Sequence, residues 1–244
     1  MQVANAFHHA RHYDRHADVQ LMVAERLAER ILALHLPPRP RVLEIGCGTG
    51  FLGAGLAGRL AYAHYWMTDI APGMLDRARQ RFAGYADISF AQMDGARPTI
   101  EGPFDLICSS LAMQWIADLP EAVARLRGLL SPGGRLVFTT LAAGSFAEWR
   151  AAYGDLMPGT PDYPSAEALD AMGMEVSVEA IDQRYRNARD FLVTLKAIGA
   201  QTPQPGYHPL SPSLLRKIMA RFEAAGAQAR YVVATCIAGP DVAV

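Results

Sequence analysis

The chain has 244 residues, of which 51% are hydrophobic and 19% are charged, a composition typical of globular proteins with a full core. Lysine and arginine total 23 against 24 aspartate and glutamate residues, so the formal net charge is −1 at pH 7. These values exclude a disordered chain, a collagen-like chain and a wholly basic nucleic-acid binder. The length predicts one large domain, 1–244.

Cysteine usage and hydropathy predict the compartment. Three scattered cysteines are too few for a disulfide framework or a tetrahedral metal site. Residues 1–20 lack the apolar core of a secretion signal, and no window approaches 18 uninterrupted apolar residues. We therefore expect a cytoplasmic protein that neither spans nor binds a membrane.

Short apolar runs alternate with helical patterns over the first 140 residues. Apolar residues recur at helical spacing from Val19 to Leu36, where Pro37 and Pro38 end the pattern. Further along, the predicted strands are 41–45, 65–68, 88–92, 104–108 and 135–139, and the predicted helices lie around 51–60, 73–83 and 119–130. This rhythm predicts an α/β fold with a parallel, doubly wound sheet.

The pattern changes after Thr140. Helical stretches around 145–156 and 165–172 precede an extended run at 174–185, which is more typical of a lid or insert than of another repeat. A proline-rich loop at 201–212 separates helices at 189–198 and 213–225, and a final strand is predicted at 231–238. We divide the domain into N-terminal cap helices (1–36), a core (40–140) and a region for the lid and the substrate or partner (141–230).

The most informative segment is VLEIGCGTG at 42–50, a strand that enters a glycine-rich turn. A dinucleotide-binding loop would place its third glycine at position 51, which is Phe51 here. Glu44, two residues before the first glycine, would repel a pyrophosphate and could attract a cationic ligand. The loop therefore disfavours a nicotinamide-dependent oxidoreductase.

Acidic residues follow the next two predicted strands. Asp69 lies nineteen residues after Gly50, where open α/β folds place an acid that accepts hydrogen bonds from ribose hydroxyls, and Asp94 ends the third strand. Because strand carboxyl ends border the ligand crevice, we expect Glu44, Asp69 and Asp94 to converge there. Three acids at one crevice favour a positively charged nucleoside.

These elements, with DGA at 94–96 and LLSPGGRL at 129–136, resemble the class I S-adenosylmethionine-dependent methyltransferases over residues 40–140. The resemblance implies a Rossmann-like, seven-stranded, mostly parallel sheet with helices on both faces, an N-terminal helical cap and a helical lid. It implies that the loop lines the methionine part of the cofactor, that Asp69 binds ribose, and that Met74, Met93 and Asp94 surround adenine. The full cofactor-binding set is Glu44, Gly46, Cys47, Gly48, Gly50, Asp69, Ile70, Met74, Met93, Asp94, Gly95 and Ser109.

Four segments outside the glycine loop resemble one subfamily, the malonyl-acyl-carrier-protein O-methyltransferases of biotin synthesis. They are AFHHARHYDRHADVQ at 6–20, SSLAMQWIADLPEAV at 109–123, FTTLAAGSFAEW at 138–149 and FLVTLKAIGA at 191–200. The resemblance implies methyl transfer from S-adenosyl-L-methionine, which leaves S-adenosyl-L-homocysteine, to the free carboxylate of malonyl-acyl carrier protein or malonyl-CoA. The methyl ester would then prime pimeloyl synthesis.

An ionised malonyl carboxylate needs no general base, so we name no proton-transfer residue. Tyr13, Gln114 and Trp115 are the predicted positioning residues, the first from its match to an aromatic family position and the others because they follow the fourth strand. Two of them are also compatible with a purely structural role, Tyr13 as a half-buried helix anchor and Trp115 as a core side chain.

Basic residues are concentrated between Arg184 and Arg221, where seven cations accompany one acid, Asp190. Such a face would steer an acidic carrier protein, although a solvated surface explains it equally well. We name four residues as substrate or partner contacts: Arg150, Lys196, Arg216 and Lys217. We expect no nucleic-acid partner, and a monomer or weak dimer.

His8, His12 and His16 lie four apart, with His9 adjacent, but no carboxylate or cysteine completes a metal site, so we predict none. Two other functions remain open. One is methylation of a small-molecule acid or quinone precursor, and the other is a non-catalytic or hydroxylase-like S-adenosylmethionine-binding assembly factor.

Overall fold

The computed structural model describes residue 14 and residues 17–197 and 207–239. Within these ranges, no helix combines the length and the apolar character that crossing a membrane requires. The secondary structure follows the predicted alternation of strands and helices closely.

Seven strands form one sheet. They are β1 (Arg41–Ile45), β2 (His64–Asp69), β3 (Ile88–Gln92), β4 (Phe104–Ser110), β5 (Leu130–Leu141), β6 (Glu175–Arg184) and β7 (Gln228–Ala238), in the spatial order β3-β2-β1-β4-β5-β7-β6. The first five pair in parallel, and β7 is antiparallel to both β5 and β6. The predicted mostly parallel, seven-stranded sheet is therefore confirmed.

Eight α-helices connect the strands. They are α1 (Asp18–Leu32), α2 (Phe51–Leu56), α3 (Pro72–Arg81), α4 (Leu119–Arg127), α5 (Ala147–Ala152), α6 (Ala166–Asp170), α7 (Ala188–Ala197) and α8 (Pro212–Ala224), within the described residues, with a 3₁₀ turn at Met113–Trp115. The first helix ends four residues before the predicted Leu36. The fifth strand begins at Leu130, earlier than predicted, because Leu130 pairs with Phe104 across a register shift.

Side-chain alternation along the strands divides the core between two faces. On one face, Val42 of β1 packs with Leu27 of α1 and Leu75 of α3. On the other face, Leu43 packs with Val123 of α4. A Cβ on Gly55 of α2 would lie 2.8 Å from the Cβ of Ala28, so glycine lets α1 and α2 approach closely. Helices therefore cover both faces of the sheet, as predicted.

The region expected to be a lid or insert is partly built into the sheet. Its extended run forms the edge strand β6, and a third core cluster joins α5, α7 and α8 to β7. Phe191 of α7 is fully buried there, with its ring centroid 5.2 Å from that of Trp149 and 5.1 Å from that of Phe222. These helices are thus held by the core.

A buried acid lies beneath the glycine-rich turn. Glu44 is 1% exposed, and its Oε2 accepts a hydrogen bond of 2.7 Å from the hydroxyl of Tyr65. Burial raises the pKa of Glu44 to about 8 despite this hydrogen bond, and the negative charge of Asp69 adds to the rise. The folded protein therefore favours the neutral carboxyl group.

This burial predicts a pH dependence of stability. Because the folded-state pKa lies above the ordinary value of 4.5, the unfolded chain ionises first, and the stability contributed by neutral Glu44 is lost as pH rises from about 4.5 towards 8. Glu44→Gln stays neutral throughout, so its free energy of unfolding should fall less over this interval. Urea denaturation at several pH values measures the difference.

Glu29→Gln is the matched control, because Glu29 is an exposed acid paired with Arg59. Parallel pH profiles for the parent and Glu44→Gln would show that Glu44 does not titrate in this way.

Candidate active site

The glycine-rich turn after β1 forms one wall of a crevice. Gly46 and Gly48 have φ angles of +65° and +55°, in the left-handed region that favours glycine. A Cβ on Gly46 would lie 2.4 Å from the Cβ of Ala112, so the turn after β4 lies directly against the loop. A Cβ on Gly48 would meet no atom of a described residue within 4 Å. Gly48 therefore opens onto space.

Asp69 fastens this loop to the end of β2. Its Oδ2 accepts a hydrogen bond of 2.9 Å from the Gly48 N–H, and its Oδ1 accepts one of 2.8 Å from the Ala71 N–H. Burial raises the pKa of Asp69, while these two backbone donors oppose the rise. Asp69 is 8% exposed and lines the crevice, so the same residue that supports the wall is also open to a ligand.

The opposite wall is the turn that follows β4. Leu111 has a φ of +47°, and its N–H donates to the Thr139 Oγ1 at 3.0 Å. The Gln114 Nε2 donates to the Leu111 carbonyl at 2.7 Å. The Gln114 Oε1 is buried and accepts no hydrogen bond from any described residue. Gln114 thus supports the turn through the NH₂ group of its amide, while its amide oxygen has no partner in the described part of the chain.

These walls enclose a cavity of about 530 Å³ at the carboxyl ends of the first four strands. Nine of the predicted site residues line it, namely Gly46, Gly48, Asp69, Ile70, Met74, Met93, Asp94, Gly95 and Trp115. Asp94 is exposed, and its Oδ1 accepts from the Ala96 N–H at 3.0 Å. Under the strand-end rule, the carboxyl ends of parallel strands border one ligand crevice. The predicted residues that line this cavity are up to 69 positions apart in the chain.

Five of the predicted site residues lie behind the walls of the cavity and do not line it. Gln114 supports the turn, as described. Ser109 is fully buried and donates to the Ile45 carbonyl at 2.8 Å. A Cβ on Gly50 would lie 2.6 Å from the ring of Phe82. The side chain of Cys47 is buried within the loop, and Glu44 is buried beneath it, so Glu44 does not join Asp69 and Asp94 at the crevice as expected.

Most of the turn after β4 and the start of α4 were not among the predicted site residues. The cavity is also lined there by Ser110, Leu111, Ala112, Ile116, Ala117, Asp118, Glu121, Ala122 and Arg125. The same strand-end rule points to Ser110, because β4 ends there. The predicted strand stopped at 108, two residues before the observed end, so the residue named was the buried Ser109 and not Ser110.

The predicted substrate and partner cations do not line the cavity. The Arg150 guanidinium donates to the Thr160 and Pro161 carbonyls and pairs with Asp162 at 2.5 Å, so it holds a loop. Lys196 on α7 is exposed, as are Arg216 and Lys217 on α8. These three lie on the surface, where a partner could reach them.

Tyr13 and the four N-terminal histidines lie outside the described residues. Asp14, next to Tyr13 in the chain, accepts hydrogen bonds of 2.8 Å from the Thr49 hydroxyl and from Arg81. It therefore contacts the glycine-rich turn. Among the residues whose placement is described, no group of three or more histidine, cysteine, aspartate or glutamate side chains could hold a metal ion.

Comparisons with known proteins identify the family. The family described as "Methyltransferase domain" matches residues 43–136. The biotin biosynthesis bifunctional protein BioCD of Bordetella avium is 44% identical over 91% of this chain, and the match spans 48% of that protein, so the chain corresponds to about half its length. The malonyl-[acyl-carrier protein] O-methyltransferase of Magnetococcus marinus is 41% identical over 89% of this chain and 84% of its own length.

A solved structure shows the same fold. The putative methyltransferase of Bacillus halodurans superposes with a TM-score of 0.62 at 13% identity, covering 89% of this chain and 99% of its own. At that identity the likeness concerns the fold alone. The family is shown by the sequence relatives, because the match to the Magnetococcus marinus enzyme has 41% identity over most of both chains. The chain belongs to the malonyl-[acyl-carrier protein] O-methyltransferase family.

Proposed function

We propose that the protein transfers a methyl group from S-adenosyl-L-methionine to the free carboxylate of a malonyl thioester on acyl carrier protein. The product is the malonyl methyl ester, a primer for pimeloyl synthesis in biotin formation, with S-adenosyl-L-homocysteine released. The supporting observation is that the similarity to malonyl-[acyl-carrier protein] O-methyltransferases extends over nine-tenths of the chain. It therefore includes the segments outside the shared methyltransferase core, where substrate choice is decided.

The described residues fit the cofactor. Gly48 leaves open space in the cavity wall at the point where a ligand must approach the backbone. Asp69 presents a carboxylate that can accept from ribose hydroxyls, and Met74 and Met93 offer apolar surface for an adenine ring. We assign the loop to the methionine part, Asp69 to the ribose, and the Ile70, Met74, Met93, Asp94 and Gly95 group to adenine.

The reaction places few chemical demands on the side chains. S-adenosylmethionine, when bound, supplies a methyl group on a sulfonium sulfur. The acceptor carboxylate is ionised at neutral pH, so no residue has to remove a proton. The protein has to hold both reactants in line and exclude water, and such positioning is worth about 7–11 kcal/mol of the barrier.

We assign this positioning to Tyr13, Gln114 and Trp115. Trp115 lines the cavity. Gln114 acts indirectly, because its N–H donor is engaged by the Leu111 carbonyl of the cavity wall. Tyr13 is assigned from the resemblance, and its neighbour Asp14 contacts the glycine-rich turn.

The carrier protein is assigned to the basic surface of α7, α8 and the end of β6. Two of its seven cations are engaged within the protein, since Arg186 pairs with Asp190 and Arg221 donates to the Ala152 carbonyl. The other five are exposed and form no ion pair with a described residue: Arg184, Arg189, Lys196, Arg216 and Lys217. An acidic partner would be steered towards this surface.

Mass spectrometry tests the proposed activity. Malonyl-acyl carrier protein incubated with the protein and S-adenosylmethionine should gain the mass of one methyl group. Acetyl-acyl carrier protein, which has no free carboxylate, should gain none. Malonyl-CoA in a parallel reaction shows whether the carrier is needed. An unmodified malonyl carrier, with cofactor binding intact, would refute the proposal and favour a small-molecule acceptor or a non-catalytic role.

Filling the space at Gly48 should abolish cofactor binding. Gly48→Val places a side chain in the cavity, and its cost to stability is limited to about 1–2 kcal/mol of left-handed backbone strain. Calorimetric titration with S-adenosylhomocysteine should show no binding, while the melting temperature falls by only a few degrees.

Gly58→Val is the matched control, because Gly58 is also left-handed (φ +78°) and open but lies outside the cavity. It should carry the same strain and retain binding. Retained binding in Gly48→Val would remove this glycine from the cofactor site.

Removing the Asp69 carboxylate should weaken cofactor binding by roughly 1.5–3 kcal/mol, the range for hydrogen bonds to a charged group. Asp69→Ala loses the acceptor for ribose and the tie to Gly48, and the same titration measures the loss. Asp76→Ala, on the exposed side of α3, should bind as the parent does. An unchanged affinity in Asp69→Ala would exclude Asp69 from the site.

Charge reversal on α8 should slow reaction with the carrier. Arg216→Glu combined with Lys217→Glu should lower kcat/KM for malonyl-acyl carrier protein by about tenfold or more at low salt, with a smaller loss at high salt. The rate with malonyl-CoA should stay near that of the parent. Arg59→Glu, a reversal on another surface, is the control. An equal loss with both substrates would place the effect outside carrier docking.

A further inference from the structure

A second cavity lies between α1 and the last three strands of the sheet order, β5, β7 and β6. Its volume is about 260 Å³, and none of the described residues lines both this cavity and the cofactor cavity. We call it the α1 groove. Its lining residues are Val23, Arg26, Leu27, Arg30, Thr139, Ser177, Val178, Glu179 and Thr235.

The floor of the α1 groove is a row of three hydroxyl groups. Thr139, Thr235 and Ser177 stand directly opposite one another on adjacent strands, where neighbouring strands are about 4.8 Å apart. A sheet face beneath a helix is usually apolar, because buried hydroxyl groups need partners. Among the described residues, no hydrogen bond satisfies the side chains of Thr235 or Ser177. These hydroxyls are available to a ligand.

The wall on the α1 side carries two guanidinium groups. Arg26 and Arg30 lie one turn apart on the side of α1 that also bears Val23 and Leu27. Arg26 pairs with Glu179, but both side chains are about half exposed, so the pair contributes little and can open. Arg30 is exposed and forms no ion pair with any described residue. The lining therefore carries two positive charges and one negative charge.

We propose that the α1 groove binds the phosphate group of a small phosphorylated molecule. Guanidinium groups donate paired, charge-assisted hydrogen bonds to phosphate oxygens, and hydroxyl groups add donors from the opposite side. A tetrahedral phosphate can direct oxygens towards the arginines of α1 and the hydroxyl groups of the floor at the same time. A planar carboxylate has only two oxygens and cannot do this as well.

The floor of the α1 groove is connected to the cofactor cavity through one residue. Thr139 lies in the floor, and its Oγ1 accepts from the Leu111 N–H in the turn that lines that cavity. Because the described lining residues of the two cavities differ, the assignment of the α1 groove does not depend on the identity of the methyl acceptor.

Calorimetric titration of the full chain tests the proposal. Inorganic phosphate and glycerol 3-phosphate are titrated separately at constant ionic strength, with chloride as the balancing anion. We expect saturable binding to the parent and to the control Arg59→Gln, which removes an exposed arginine paired with Glu29 beside α1. The dissociation constant should rise about tenfold in Arg30→Gln, the loss expected for one hydrogen bond to a charged group.

Ser177→Ala provides a second variant that removes a floor hydroxyl without changing charge, so the test does not depend on the folding of Arg30→Gln. It should also weaken binding. Comparison of the two dissociation constants shows whether the groove prefers a free phosphate ion, represented by inorganic phosphate, or a phosphate monoester, represented by glycerol 3-phosphate. Absence of saturable binding to the parent, or equal affinity in the parent and both groove variants, would overturn the proposal.

Discussion

The hydrogen bond between the Asp69 carboxylate and the Gly48 N–H connects the two parts of the chain on which the site depends. It joins the turn after β1 to the end of β2 across 21 residues, at 2.9 Å. The second oxygen holds the Ala71 N–H at the start of α3. Because the carboxylate is almost buried, its charge depends on these donors. The same group therefore shapes the loop and presents an acceptor to the cavity.

The opposite wall depends on a different backbone feature. Leu111 adopts a left-handed conformation after β4, and Thr139 and Gln114 bond its N–H and carbonyl. This turn reaches Gly46, where only a missing side chain permits the approach to Ala112. The crevice is therefore narrow at the first glycine and open at Gly48, which suits a ligand that runs along the loop.

Much of this arrangement could be predicted from the sequence. Buried parallel strands have nearly continuous apolar sequences, so β1, β4 and β5 were recognisable, and the rule that strand carboxyl ends border the ligand crevice then placed Asp69 and Asp94 at one edge. The burial of Glu44 could not be predicted. Whether an acid near the end of a strand faces the crevice or the core depends here on the packing of Tyr65, which donates a hydrogen bond to it. The role of Arg150 depends on a loop twelve residues away, which local patterns do not show.

A crystal structure of the protein with S-adenosylhomocysteine tests the proposed cofactor site most directly. We expect both ribose hydroxyls to lie within hydrogen-bonding distance of the Asp69 carboxylate. We also expect adenine to lie among Ile70, Met74 and Met93, and the Gly48–Asp69 hydrogen bond to be kept. A cofactor bound elsewhere, or a ribose without contact to Asp69, would contradict the proposed site.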